Sequence, residues 1–176
     1  MAGHSKWAKL KHTKGKTDAQ KSKLFSKLLR FISVEAKKAK GIRTAPGLRA
    51  AIEKARAANV PLDNIERAID KVAQGGAELE SVTYEAYGPG GCALVIEAYT
   101  DNRNRTVQEL KHTLSLHGGS LANPGAAMWA FQKNAEGVLE PISPLELADE
   151  DSQKMAELSD ALEENDDVNE VYTNAA

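Results

Sequence analysis

The chain has 176 residues, 41% of them hydrophobic and 27% charged, with a formal net charge of −2. That length suits one medium domain or two small ones, and the composition is that of a folded protein. The single Cys92 excludes an internal disulfide and a cysteine zinc site, and no stretch approaches the ~18 apolar residues of a membrane span. Aromatics make up only 5% of the residues, so the core must be mostly Ala, Leu, Ile and Val, which favours helices. Lysines interrupt the start too often for a signal peptide, so a soluble cytoplasmic protein is expected.

Charge is distributed unevenly along the chain. Residues 1–40 hold twelve Lys and Arg against two acids, Asp18 and Glu35, a net of +10. From Gly76 to Ala176 there are five bases and nineteen acids, a net of −14. One end should seek polyanions and the other should repel them.

Residues 1–17 show neither helical nor strand periodicity. Lys6, Lys9, Lys11, Lys14 and Lys16 alternate with Trp7, His12 and glycines. This reads as a basic arm that contacts a polyanion, with Trp7 stacking on a base. A solubilising tail is the plainer alternative, and Trp7 could instead anchor the arm on the protein's own surface.

From Asp18 the pattern is helical, and Asp18 suits the helix start as cap and as charge. At 100° per residue Phe25, Leu28, Leu29, Ile32, Ala36 and Ala39 share one face. Lys23, Lys27, Arg30 and Lys37 share the opposite one, with Lys21 also basic, and Gly41 ends the helix. A second helix is predicted from Pro46 to Asn59 through Leu48, Ala51, Ile52 and Ala55. A third starts at Pro61 with Leu62, Ile65, Ile69 and Val72, and Gly75 and Gly76 close it. Together these predict a compact three-helix domain over residues 18–76.

Beyond Gly76 the texture becomes that of strands. Ser81–Tyr87 and Ala93–Thr100 read as a pair joined by residues 88–91, Gly-Pro-Gly-Gly. That loop lacks the Gly-Lys-Ser/Thr ending of a phosphate-binding loop and reads as a hairpin turn. Cys92 beside it reads as a buried, inert thiol. A helix with Val107, Leu110 and Leu114 follows, with Asp101, Asn102 and Asn104 as candidate caps. Arg103 and Arg105 stand at its start, where they can hold an anion or pair with the protein's own acids.

Met128–Lys133 reads as a strand with Trp129 and Phe131 on one face, Trp129 in the core. Gly137–Ile142 holds another short strand. An acidic helix follows over residues 149–165, with Met155, Leu158 and Leu162 inward and Asp149–Asp151 at its start. Its outward acids form a solvated face, or a surface that keeps nucleic acid away or docks a basic protein. Val168–Thr173 is the last strand. The order suits an α+β domain over residues 77–176, an antiparallel sheet with helices on one face in the ferredoxin-like manner.

The four histidines form no metal-binding pair, and no nucleophile or carboxylate-pair motif is present. No cofactor, metal site or catalytic residue is assigned.

Several blocks carry a resemblance: residues 1–30 (MAGHSKWAKLKHTKGKTDAQKSKLFSKLLR), 61–69 (PLDNIERAI), 84–91 (YEAYGPGG), 100–106 (TDNRNRT) and 162–174 (LEENDDVNEVYTN). In this order they resemble the YebC/PmpR family, which is widespread in bacteria and includes a mitochondrial translational activator. The resemblance implies a helical domain followed by α+β domains, and no catalytic residues. It implies DNA-binding transcriptional regulation, or action in translation on the ribosome through difficult sequences such as proline runs. Typical members carry a further small domain before the last helix and strand, where this chain has only residues 134–148. Thr13 and Ser22 stand where the family pattern has a basic residue and a glycine.

The expected function is therefore a non-enzymatic, nucleic-acid-binding regulator of gene expression. The expected ligand-facing residues are those of the arm, Lys21, Lys23, Lys27, Arg30 and Lys37, with Arg103 and Arg105 adding a contact. A lysine-rich set argues for phosphate contacts with little base readout. The alternatives are an RNA- or ribosome-associated translation factor, and an adaptor that docks an acidic protein. A monomer without membrane contact is expected.

Overall fold

The computed structural model describes residues 17–76 and 78–176. The chain divides into two compact units, one whose described part is 17–76 and 78–82 with 99–101 and one whose described part is 83–98 with 102–176.

The first unit holds α1 (Asp18–Lys38), α2 (Pro46–Ala57) and α3 (Leu62–Ala73). Leu28, Ile32 and Ala36 of α1 pack with Leu48, Ala51 and Ala55 of α2, Val60, and Ile65 and Ile69 of α3. The alanines let the helix axes approach. Each fully buried Leu or Ile contributes about 1.5–3 kcal/mol relative to exposure. Thr17, not Asp18, caps α1. Its hydroxyl accepts from the N–H of Gln20 (3.3 Å), and its own N–H donates to Gln20 Oε1 (2.8 Å). This capping box satisfies two of the helix's orphan donors, and Asp18 contributes only its charge in the first turn.

The start of α2 has no capping side chain and no acid in its first turn. The carboxylate of Glu35 lies where a Cβ on Gly47 would stand, so α1 supplies the negative charge that the α2 terminus lacks. One of the two acids of the basic segment is thus structural.

Helix α1 ends with Lys40 in the left-handed region at φ 48°, and the next N–H, of Gly41, donates back to Ala36 (3.2 Å). That geometry favours glycine. Lys40→Gly is expected to raise the stability of this unit by about 0.5–1 kcal/mol, read as a higher urea midpoint at unchanged m-value.

The second unit is built on a four-stranded sheet. Its strands are β1 (Glu80–Tyr87), β2 (Ala93–Thr100), β3 (Ser120–Ala122) and β6 (Val168–Thr173), in the order β3-β1-β2-β6, with residues 80–82 of β1 and 99–100 of β2 belonging to the first unit. β3 pairs antiparallel with β1 and β6 antiparallel with β2, with a bulge at Glu97/Ala98. Helices α4 (Arg103–Leu116) and α5 (Asp149–Glu163) cover one face. There Leu94 and Ile96 meet Leu110, Leu114, Met155, Leu158 and Leu162. Strand alternation sends Ala93 and Val95 to the opposite face. That face carries a hairpin of β4 (Phe131–Lys133) and β5 (Leu139–Pro141), with Ala127, Ala130, Phe131 and Leu139 as its core. β2 is apolar along nearly its whole length because it is covered on both faces.

The α+β class and the antiparallel sheet with helices on one face agree with the sequence reading. One expected strand is shorter: Met128–Ala130 form a 3₁₀ turn and only Phe131–Lys133 are extended. The turn breaks the alternation that placed Trp129 beside Phe131. Trp129 is 57% exposed, while Phe131 is buried.

The β1–β2 connection is a tight 3₁₀ turn, Pro89–Gly91, within which Gly90 has φ +68°. A Cβ there would meet Leu147 and Asp151, so Gly90 answers both a backbone and a packing requirement. Beside it Cys92 is buried, its Sγ 3.4 Å from Met155 Sδ, and burial raises its thiol pKa. The C-terminal segment is pinned by Asn174, whose Oδ1 accepts from the N–H of Ala93 (2.7 Å) and whose Nδ2 donates to Ser143 O (2.7 Å). No helix among the described residues is long and apolar enough to cross a membrane.

Candidate nucleic-acid interface

Lys6, Trp7, Lys9, Lys11, His12, Lys14 and Lys16 lie outside the described residues. The described part of the candidate surface is therefore α1, whose side chains are set by a helix anchored through Leu28, Ile32 and Ala36. Lys21 and Lys37 are exposed, whereas Lys23, Lys27 and Arg30 are half-buried. Lys21 lies 4.0 Å from Asp18.

The stripe is not a continuous solvent face. Val34 lies on the same side as Lys23, Lys27 and Arg30 by helical spacing, yet it is only 3% exposed. One turn earlier Arg30 donates from Nη1 to the carbonyl of Tyr99 (3.1 Å). Phe31 stacks on the Tyr99 ring, with centroids 6.0 Å apart and planes 4° from parallel. Lysine's long flexible stem tolerates partial cover, while the Arg30 guanidinium holds a backbone carbonyl. The lysines are the better candidates for a ligand.

At the start of α4 the three candidate caps resolve to Asn102, whose Oδ1 accepts from the N–H of Arg105 (3.1 Å). Arg103 stands exposed in the first turn. Arg105 donates from Nη2 to Asp167 Oδ2 (2.7 Å), and the same oxygen accepts from the Thr106 hydroxyl (2.8 Å). Asp167 is only 4% exposed, so this pair ties α4 to the segment before β6. Of the two alternatives for Arg105, its geometry favours a bond to the protein's own acid. Removing the cation leaves a buried carboxylate short of a partner. Arg105→Ala is expected to lower stability by about 1–3 kcal/mol, with Arg105→Lys losing less, as measured by denaturant titration.

Two features escaped the sequence reading. The first is Glu85, on the hairpin-facing side of β1 and only 8% exposed. Its carboxylate accepts from the N–H groups of Gly125 (2.6 Å), Ala127 (2.7 Å) and Met128 (2.8 Å). Burial pushes its carboxyl pKa up, but the three N–H bonds outweigh that and hold it below its ordinary value. The hydroxyl of Tyr87 and the indole N–H of Trp129 both donate to Ala126 O. These bonds fix the loop that displays Trp129.

The second is a cleft of about 620 Å³ contained within the helical unit. Ser26, Arg30 and Ser33 of α1 face Asn64, Arg67 and Lys71 of α3 across it. Sequence spacing marks each trio as one helix face, but only packing brings the two faces together. His112, on the exposed side of α4, and His117, its C-cap, take no part in either feature. Among the described residues, no three His, Cys, Asp or Glu side chains are grouped to hold a metal ion.

Comparison with known proteins places this geometry in a family. Residues 5–75 match the model of the TACO1/YebC protein N-terminal domain, and residues 79–141 match that of the TACO1/YebC second and third domain. A probable transcriptional regulatory protein of Thermosipho africanus is 53% identical over 146 residues, 80% of this chain and 56% of that protein. The chain thus spans little more than half the length of that relative. A probable transcriptional regulatory protein of Thermoanaerobacter pseudethanolicus is 38% identical over 237 positions, covering 99% of this chain and 96% of the relative. That alignment is longer than this chain, so the relative carries sequence with no counterpart here. The crystal structure of a conserved hypothetical protein from Aquifex aeolicus superimposes with a TM-score of 0.86 at 34% identity, covering 98% of this chain and 97% of that one. Two family models spanning both units, together with these relatives, show that the chain belongs to the TACO1/YebC family.

Proposed function

We propose that this chain is a non-catalytic, nucleic-acid-binding regulator of gene expression that docks phosphate groups on its lysine-rich amino-terminal segment. One observation carries the reading: twelve bases against two acids in residues 1–40, in a chain whose residues 76–176 carry a net of −14. Lys/Arg side chains that neutralise phosphates release condensed counterions, which gives affinity without base readout. Lysine, a flexible point charge, fits that role better than base-edge recognition, which favours Arg, Asn and Gln. Lys21, Lys23, Lys27 and Lys37 provide the described part of the surface, and the names of the relatives support a regulatory role.

A second reading, a factor that works on the ribosome, is favoured by the acidic remainder, which suits basic ribosomal proteins. The test is a titration of duplex DNA and of structured RNA at rising salt. A slope of log K against log salt of several units supports the proposal, and affinity indifferent to salt sinks it. Co-sedimentation with ribosomes at low salt separates the two readings.

A further inference from the structure

The α1–α3 cleft combines features that a plain lysine surface lacks. Its floor is apolar, from Leu29 and Ala68, and its volume of about 620 Å³ is in the range of small-ligand sites. Arg67 and Lys71 stand one helical turn apart on α3, and both are exposed. The Arg67 guanidinium is held in place by its own helix, with Nε donating to Asp63 O (3.2 Å) and Nη2 to Asn64 Oδ1 (2.5 Å). Its fork is oriented before any ligand arrives, which lowers the ordering cost of binding. On α1, Ser26 and Ser33 add hydroxyls, and Ser33 already donates to Leu29 O (3.1 Å).

Two carboxylates, Glu78 and Asp101, also line the cleft. They make it a poor sink for a run of phosphates and a good one for a group anionic on one side and rich in N–H donors on another. A nucleotide has that form: its phosphate suits Arg67 and Lys71, its base suits the apolar floor, and amino-bearing base edges can donate to carboxylates. A base reaches such a cleft only when it is unpaired, because a duplex keeps its bases stacked and turned inward.

We propose that the α1–α3 cleft seats one unpaired nucleotide of a bound strand, with its phosphate on Arg67 and Lys71. This rests on the nucleic-acid reading above and adds to it a preference for single strands. The test measures fluorescence anisotropy with a short labelled single-stranded RNA, and with the same strand annealed to its complement.

Arg67→Ala with Lys71→Ala should weaken the single strand about tenfold and leave the duplex within about twofold. Ser26→Trp fills the cleft without changing a charge and should do the same. Both variants sit on exposed helix faces, and circular dichroism is the check that they fold. Single-strand affinity equal to wild type in both variants overturns the proposal, as does an equal loss for the duplex. AMP as competitor separates a strand from a free nucleotide: displacement of the strand by AMP at concentrations near those of the RNA overturns the strand assignment. Wild-type protein that binds neither form sinks the nucleic-acid reading itself, and a flat wild-type curve distinguishes that result from failure of the cleft alone.

Discussion

Lys21→Glu, Lys23→Glu and Lys27→Glu together are expected to lower affinity for DNA or RNA on the order of a hundredfold near 0.1 M salt, and to flatten the salt slope by about 3 units. Each lysine that neutralises a phosphate contributes roughly one unit of slope, and reversing it adds repulsion. Lys23 and Lys27 lie one turn apart on the side of α1 opposite Leu28 and Ile32, Lys21 is exposed near the helix start, and glutamate is a good helix former. Arg30 is left out because its guanidinium holds the Tyr99 carbonyl, so its loss would mix binding with folding. Helicity by circular dichroism should match wild type. Wild-type affinity and slope in the triple variant would remove α1 from the interface and leave the reading on residues 1–16 alone.

Glu85→Ala is expected to cost about 2–4 kcal/mol, the largest stability loss of the substitutions considered. Three N–H groups converge on this carboxylate, and alanine leaves all three without their acceptor. The charge also makes a pH prediction. The folded carboxyl pKa lies below its ordinary value of about 4.3, so the unfolded chain binds this proton more readily than the folded one. Its contribution is fully present above the unfolded pKa and disappears as pH falls through the folded one. Wild type should lose stability between about pH 5 and the lower folded value, and Glu85→Gln should show a shallower loss there. Trp129 reports on the same loop, because its indole N–H bonds to Ala126. Its fluorescence should shift in Glu85→Ala before global unfolding, and acid-unfolding curves identical in wild type and Glu85→Gln would refute the assignment.

Much of the fold was legible because the signals are local. α2 and α3 follow from apolar residues three and four apart, and β2 from a compact apolar run between a Gly-rich turn and an Asn/Asp cap. The misreadings have separate causes. Trp129 was placed in the core by alternation, but a 3₁₀ turn of three residues interrupts it. Asp18 was read as the cap, while the capping box sits one residue earlier at Thr17 and Gln20. The sequence reading gave α1 a single buried face, whereas Val34, on the side of Lys23 and Lys27, is buried as well. Glu85 gave no signal at all, since its partners lie some forty positions away and are backbone groups, which composition cannot display.

The amino-acid sequence by itself determined the charge division, the two kinds of unit and the family likeness, because charge and periodicity add up residue by residue along the chain. Tertiary structure alone decided which bases stay available to a ligand. Arg105 is drawn onto Asp167, sixty-two positions away, and Arg30 onto Tyr99, sixty-nine away, while Arg67 and Lys71 are brought across a cleft from Ser26. A hydrogen bond or close ion pair forms only between groups about 3–4 Å apart, so the use of a charged group depends on neighbours in space that linear order does not reveal.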